Sequence, residues 1–386
     1  MKVAGIYPQK LSIDPKIQHA VSDPYGLEKI LAVAEARGHD VDLFLPLVEE
    51  DGAVRETSEE NLIERIVDFD PDVAAFSMYT CQFSMGERIA AEVKKRKPSV
   101  LTVGGNRYPT FLKEEITEPF DVFVVKEGEE TFSEILEAME SRRDFSHVKG
   151  LVYKQGGVPG YTGDRPRIKN LDAWPDALRF PVITSQVYRG ISIPPLSTEP
   201  SYAVSEYGRG CVYACTFCDS KDFLGSQLTF RDPSRVADEM FQLQELGVDI
   251  VYFMDLNFTM SQKHALELCE TFIDRGVDMS WYAMSNLGTL DGKHELMHAL
   301  KEAGCFKIAY GVESTNNETL VQVGKKVGKN QTDHDQQTRV LQESFEAGLL
   351  NQGYYIIGFP NETVDSIRED ASKIQDLPLH ILNVGI

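Results

Sequence analysis

Short apolar, β-branched runs alternate with helix-length stretches of period 3.6 along almost the whole chain, and nothing else in the sequence constrains the fold as strongly. In the N-terminal half, strand-like runs at 3–7, 41–45, 73–78, 100–103 and 122–125 are separated by helical patterns at 24–37, 59–68, 85–97 and 108–116. A last helical pattern follows at 131–139, and Gly38 stands where a helix-terminating glycine belongs. Strands joined by helical crossovers must run parallel, with helices covering both faces of the sheet. This half is therefore expected to be a doubly wound parallel α/β domain. Such sheets bind ligands at the C-terminal ends of their strands, at the topological switch point.

The C-terminal half repeats the alternation. Strand-like runs at 202–207, 250–254, 281–284, 307–312, 354–359 and 381–386 are spaced by helical patterns at 234–246, 263–274, 293–303 and 337–347. Six β/α repeats predict a partial (β/α)6 barrel of the TIM type, whose chemistry would sit in the loops after the strands. Between the halves, Gly156, Gly157, Gly160 and Gly163 mix with Pro159, Pro166, Pro175, Pro181, Pro194 and Pro195. That texture predicts a turn-rich connector with a hairpin at 151–161. The expected organisation is domain 1–148, connector 149–200 and barrel 201–386. Because the chain stops on the sixth barrel strand, the natural product is expected to continue past residue 386.

Charge and hydropathy narrow the partners. At roughly 150 residues per domain, 386 residues suggest two or three domains. Lys and Arg number 39 against 60 Asp and Glu, a net charge of −21. A polyanion would be repelled, so no nucleic acid is expected as partner. The basic run Lys94-Lys95-Arg96-Lys97 closes a helical pattern, where it complements the helix dipole. The longest apolar runs, at 72–78 and 354–359, fall far short of the roughly 18 residues that span a bilayer, and no signal peptide follows Lys2. No membrane partner and a cytoplasmic location are expected.

Six cysteines occur, at 81, 211, 215, 218, 269 and 305. In a large cytoplasmic chain disulfides are disfavoured. Cys211, Cys215 and Cys218 lie in Gly208-Arg209-Gly210-Cys211-Val212-Tyr213-Ala214-Cys215-Thr216-Phe217-Cys218, directly after the first barrel strand. Three thiolates at C-x3-C-x2-C suit an iron–sulfur cluster and leave one iron of a 4Fe-4S cubane open. Structural zinc would want a fourth ligand, and no cysteine or histidine stands close by. Cys269 and Cys305 read as small buried hydrophobes.

These cysteines, with Phe217 beside the last of them, resemble the signature of the radical S-adenosylmethionine (SAM) superfamily. The likeness continues along the barrel. Phe253-Met254-Asp255-Leu256-Asn257-Phe258 resembles the second-strand motif that holds the SAM amino group, and Tyr310-Gly311-Val312-Glu313-Ser314 resembles the fourth-strand motif whose acid reaches SAM. Gly358-Phe359-Pro360-Asn361-Glu362-Thr363 resembles the fifth-strand loop. After the third strand, where related proteins often carry an arginine, this chain has Ser285-Asn286. The resemblance implies Cys211, Cys215 and Cys218 as iron ligands, with Phe217, Asp255, Asn257, Ser285, Asn286 and Glu313 around SAM.

The N-terminal half resembles the cobalamin-binding domain of one subclass of that superfamily, through Ser77-Met78-Tyr79-Thr80, Gly104-Gly105-Asn106 and Glu127-Gly128-Glu129. Ser77, Tyr79, Thr80, Gly104, Gly105 and Glu127 are the implied cobalamin contacts. Tyr79, Tyr108 and Tyr188 are aromatic candidates for the substrate cleft. The axial-histidine motif D-x-H-x-x-G is absent, since Phe145 stands where its aspartate would precede His147. The domain could bind cobalamin without a protein ligand to cobalt, or be degenerate and bind none. The resemblance implies reductive cleavage of SAM at a 4Fe-4S cluster, a 5′-deoxyadenosyl radical and hydrogen abstraction from a small-molecule substrate. It further implies an electron donor such as flavodoxin or ferredoxin. Cobalamin-dependent C-methylation is the leading reaction; a radical dehydratase or rearrangement enzyme and a non-catalytic electron-transfer protein are the alternatives.

Overall fold

The computed structural model describes residues 1–9, 24–50, 53–112, 116–141, 143–155, 157–180, 201–327, 330–331 and 333–385. Two units make up the chain, Met1–Ile191 and Ser192–Ile386.

In the first unit the expected alternation becomes β1 (Lys2–Ile6), α1 (Tyr25–Ala36) and β2 (Asp40–Phe44), then a small antiparallel ribbon of β3 (Leu47–Glu50) and β4 (Ala53–Glu56). There follow α2 (Glu59–Phe69), β5 (Val73–Ser77), α3 (Thr80–Arg96), β6 (Leu101–Gly105), α4 (Arg107–Phe111), β7 (Val122–Val124) and α5 (Glu129–Glu140). The hairpin β8 (Leu151–Gln155) and β9 (Val158–Tyr161) ends the series. Sheet order is β2-β1-β5-β6-β7-β8-β9, parallel through β7 and antiparallel beyond it. β5 is buried along its whole length, as a strand covered on both faces must be. α1 packs with α5 and α2 with α3, one pair on each face. Ser58 starts α2, its hydroxyl accepting from Asn61 N at 3.1 Å, and the helix buries Leu62, Ile63 and Ile66. The order reverses between β1 and β5, which puts the switch point at their carboxyl ends.

The basic run closes α3, and each cation has a carboxylate partner: Lys94 with Asp121, Lys95 with Glu92, Arg96 with Glu60 and Glu92, Lys97 with Asp70. Its place in the last turn is where the dipole argument puts it, and the carboxylate partners are an addition the sequence did not announce. The hairpin predicted at 151–161 is present and widens the sheet. The helix expected at 108–116 is only the short α4. Residues 181–200, including Tyr188, lie outside the described residues.

The second unit is built from β10 (Tyr202–Ser205), β11 (Gly208–Arg209), α6 (Ser220–Leu224), β12 (Thr229–Phe230), α7 (Pro233–Glu245), β13 (Ile250–Phe253), α8 (Gln262–Arg275), β14 (Ser280–Ser285), α9 (Leu287–Leu290) and α10 (His294–Glu302). It continues with β15 (Cys305–Glu313), α11 (Asn317–Gln322), β16 (Lys326–Val327), β17 (Asn330–Gln331), α12 (His334–Glu346), β18 (Leu350–Ile356), α13 (Val364–Ile374) and β19 (Ile381–Gly385). Six parallel strands follow the order β10-β13-β14-β15-β18-β19, so the barrel is open between its first and last strands. Phe253, Phe258, Phe272, Trp281, Cys269 and Cys305 are buried in one core, and Trp281 Nε1 donates to Ala303 O at 2.7 Å. Burial pushes the Cys269 thiol up to about 12 and raises Cys305 as well, so both stay neutral, small and inert.

The strand expected at 354–359 begins at Leu350 and ends at Ile356. Asn351 and Gln352 disguise its start; both are buried, and Asn351 Nδ2 donates to Leu341 O at 2.7 Å and Pro378 O at 2.9 Å. α13 was not foreseen, because the apolar stripe is short and the helix buries Asp370.

Candidate cofactor sites

The cysteine loop leaves β10 through Glu206-Tyr207 and the ribbon of β11 with β12. Its backbone is tied at three points: Cys211 N donates to Gly225 O at 3.2 Å, Thr216 N to Val323 O at 3.0 Å and Cys218 N to Cys215 O at 3.2 Å. Cys211 and Cys215 are half-buried and Cys218 is exposed. Burial pushes the first two thiols up, Cys218 adds to this, and the Lys325 ammonium pulls both down. Among the described residues no three His, Cys, Asp or Glu are grouped to hold a single metal ion. A cubane asks for something else, one iron per thiolate around a cube. Three soft sulfurs presented by one loop, two half-buried and one exposed, fit that donor set. Phe217, exposed next to Cys218, meets Phe359 edge-on at 5.6 Å between ring centroids. Phe359 belongs to the loop after β18, whose Gly358 and Phe359 N–H groups donate to Glu362 Oε2 at 2.7 and 3.0 Å.

Asp255 lies beneath the entry to the loop. Its carboxylate accepts from Tyr207 N at 2.9 Å and Gly208 N at 2.6 Å, and burial lifts its pKa to about 7 against the pull of those two donors. Both oxygens of this expected SAM contact therefore hold the backbone that presents the cysteines. A buried ion-pair network supports the same turn: Arg209 forks onto Glu206 at 2.7 and 2.8 Å, and Arg231 joins Glu206 O at 2.8 Å to Glu239 at 2.6 Å.

Asn257, Ser285 and Asn286 come together at the ends of β13 and β14. Asn257 Oδ1 accepts from Asn286 N at 3.3 Å and from the hydroxyls of Ser285 and Thr289 at 3.4 Å. Its Nδ2 is buried with no protein acceptor, one donor left for a ligand. Glu313 ends β15 beyond a register shift against β18 and takes φ 64°, a conformation costly for a non-glycine residue. The bulge turns its carboxylate to Lys325, Nζ to Oε1 at 2.8 Å, and both side chains are buried. Sequence reasoning missed Lys325; its only local signal is the Gly324-Lys325 turn after α11.

In the first unit Ser77, Tyr79, Thr80 and Gly105 gather at the carboxyl ends of β5 and β6, beside the switch point. Ser77 Oγ accepts from Asn106 Nδ2 at 2.9 Å, and Tyr79 N donates to Gln82 Oε1 at 2.9 Å, starting α3. A Cβ on Gly105 would make only ordinary contacts, with Phe76 O at 3.9 Å and Val124 Cβ at 4.0 Å, so a side chain is tolerated there. Gly104 differs: a Cβ there would come 2.7 Å from the Phe123 ring and 3.0 Å from Met78 Cε. Its small size serves packing. Glu127 is also engaged within the protein, accepting from Ile168 N at 3.0 Å and pairing with Arg167 at 3.3 Å. Tyr108 leans on Phe83 at 4.4 Å between centroids, while Tyr79 is half-exposed.

Residues 205–374 match the radical SAM superfamily, and residues 20–136 match the B12 binding domain. The chain is a radical SAM protein with an N-terminal B12-binding domain. It is 27% identical over 371 residues, 95% of its own length and 76% of the relative's, to an uncharacterized methyltransferase of Pyrococcus horikoshii. It is 25% identical to the anaerobic magnesium-protoporphyrin IX monomethyl ester cyclase of Rubrivivax gelatinosus, covering 84% of this chain and 58% of that one. The fold is that of the radical SAM methyltransferase TsrM of Kitasatospora setae, solved with cobalamin and a [4Fe-4S] cluster, with TM-score 0.78, 18% identity, and coverage of 99% of this chain and 74% of that one. No helix among the described residues of this radical SAM protein is long and apolar enough to cross a membrane.

Proposed function

We propose that this chain is a cobalamin-dependent radical SAM methyltransferase acting on a carbon of a small-molecule substrate. The observation that carries the reading is the C-x3-C-x2-C loop after the first barrel strand, in a chain whose other unit gathers Ser77, Tyr79, Thr80 and Gly105 beside a doubly wound switch point. When bound, the cluster supplies an electron and an open iron for SAM, and cobalamin supplies a carrier for the methyl group. Cys211, Cys215 and Cys218 would each hold one iron. Asp255 keeps the loop's entry in place from below, and Asn257 Nδ2 offers SAM a hydrogen bond from a buried position. Ser285 and Asn286 keep Asn257 oriented, and the Phe217–Phe359 pair would cover the Cys218 end of the loop. Ser77, Tyr79, Thr80 and Gly105 line the cobalamin cleft. The electron comes from a low-potential protein such as flavodoxin or ferredoxin, in the cytoplasm.

The likeness to the magnesium-protoporphyrin cyclase favours a second reading, radical chemistry without methyl transfer. One experiment separates the two: load the anaerobic protein with iron, sulfide and hydroxocobalamin, remove the excess, add SAM and a reductant, and quantify the products. Retained cobalamin with S-adenosylhomocysteine formed supports the methyltransferase. 5′-Deoxyadenosine without retained cobalamin or S-adenosylhomocysteine supports the second reading.

A further inference from the structure

Lys325 is buried, and its one carboxylate contact among the described residues is Glu313, at 2.8 Å. Three features fix the pair. The turn that carries the lysine is sewn to the cysteine loop, because Val323 O accepts from Thr216 N at 3.0 Å. Gly324 has φ 69°, and a Cβ there would come 3.2 Å from Ala214 O, so glycine lets the turn approach the stretch between Cys211 and Cys215. Gly311 leaves the pair its space, since a Cβ at that position would lie 2.6 Å from Lys325 Nζ and 2.4 Å from Glu313 Oε1. The buried ammonium is thus carried by a turn that the backbone holds against the stretch between Cys211 and Cys218.

We propose that Lys325 is a positioning residue for the iron–sulfur cluster, its buried ammonium, held by Glu313, raising the reduction potential of the cluster that Cys211, Cys215 and Cys218 bind. The inference rests on the cluster reading above. Reduction adds one electron, taken from a low-potential donor, and breaks no bond in the protein. A fixed positive charge in a poorly solvated site stabilises the more negative, reduced cluster. Glu313 keeps the charge in place and partly cancels it, so the two residues act with opposite sign.

The test is a redox titration of the anaerobically reconstituted full chain, without SAM, followed by electron paramagnetic resonance and paired with iron and sulfide analysis. Lys325→Gln should keep its iron and titrate at a more negative midpoint than wild type. Lys325→Arg should stay near wild type, and Glu313→Gln should move to a more positive midpoint. Iron-replete Lys325→Gln and Glu313→Gln proteins with the wild-type midpoint, or with shifts of the same sign, would overturn the proposal. If Lys325→Gln takes up no iron, Glu313→Gln decides alone: a positive shift supports the proposal, and its absence overturns it. A wild-type chain that takes up no iron would overturn the cluster reading first and this inference with it.

Discussion

Asp255 carries two backbone donors and a full desolvation penalty at once, and its titration reports on that conflict. Its folded pKa, about 7, lies above the ordinary 3.8, so the folded chain binds the proton more tightly than the unfolded one. The stabilising contribution is therefore complete below about pH 4 and is lost as pH rises towards 7. In the iron-free protein, wild type should lose stability relative to Asp255→Asn across that window in pH-dependent thermal unfolding; parallel curves would contradict the assignment. Lys307 makes a second case of the same physics. It lies buried on β15, 4.0 Å from the Tyr282 ring centroid and 2.8 Å from Gln352 Oε1, and burial lowers its pKa from 10.5 to about 8. The cost of the buried ammonium is full below pH 8 and fades by about 10.5, where the neutral amine serves both states. Lys307→Met should thus be more stable than wild type by about 1 kcal/mol at pH 7, and the gain should shrink above pH 8. A less stable variant with no pH dependence would show instead that the ring and Gln352 fully compensate the charge.

At the scale of elements, the two glycines that end β6 are expected to part company. Gly104→Val should cost about 1–3 kcal/mol, because Phe123 and Met78 must move aside, and calorimetry on the unloaded protein measures it. Gly105→Phe should fold normally, yet lose the retained cobalamin in a visible spectrum after gel filtration. Equal effects of both substitutions on stability would contradict the distinction. The sequence could not separate these neighbours, since only the fold shows which faces a ring. It did show the covered strands, because a strand buried on both sides reads as an unbroken apolar run, as β5 does. It hid the start of β18, where Asn351 and Gln352 are buried on hydrogen bonds that no local pattern announces. The three cysteines were legible because one loop carries them all. Lys325 was not, because only the barrel brings α11 back to that loop.

On the scale of the whole molecule, both units place their open loops where a parallel sheet must place them, at the carboxyl ends of strands. That single rule locates the cysteine loop, Asn257 and Glu313 in one unit and Tyr79, Thr80 and Gly105 in the other. The same topology seals Cys269 and Cys305 in the core of the second unit, where they are expected to be dispensable for the cluster. The most direct test of the account is elemental: iron and sulfide analysis of anaerobically reconstituted protein, wild type against the variant with Cys211, Cys215 and Cys218 all changed to alanine. The account predicts about four irons and four sulfides per wild-type chain, the same for Cys269→Ala, and neither iron nor SAM cleavage in the triple variant. Tight zinc without iron in wild type, or iron retained by the triple variant, would contradict it.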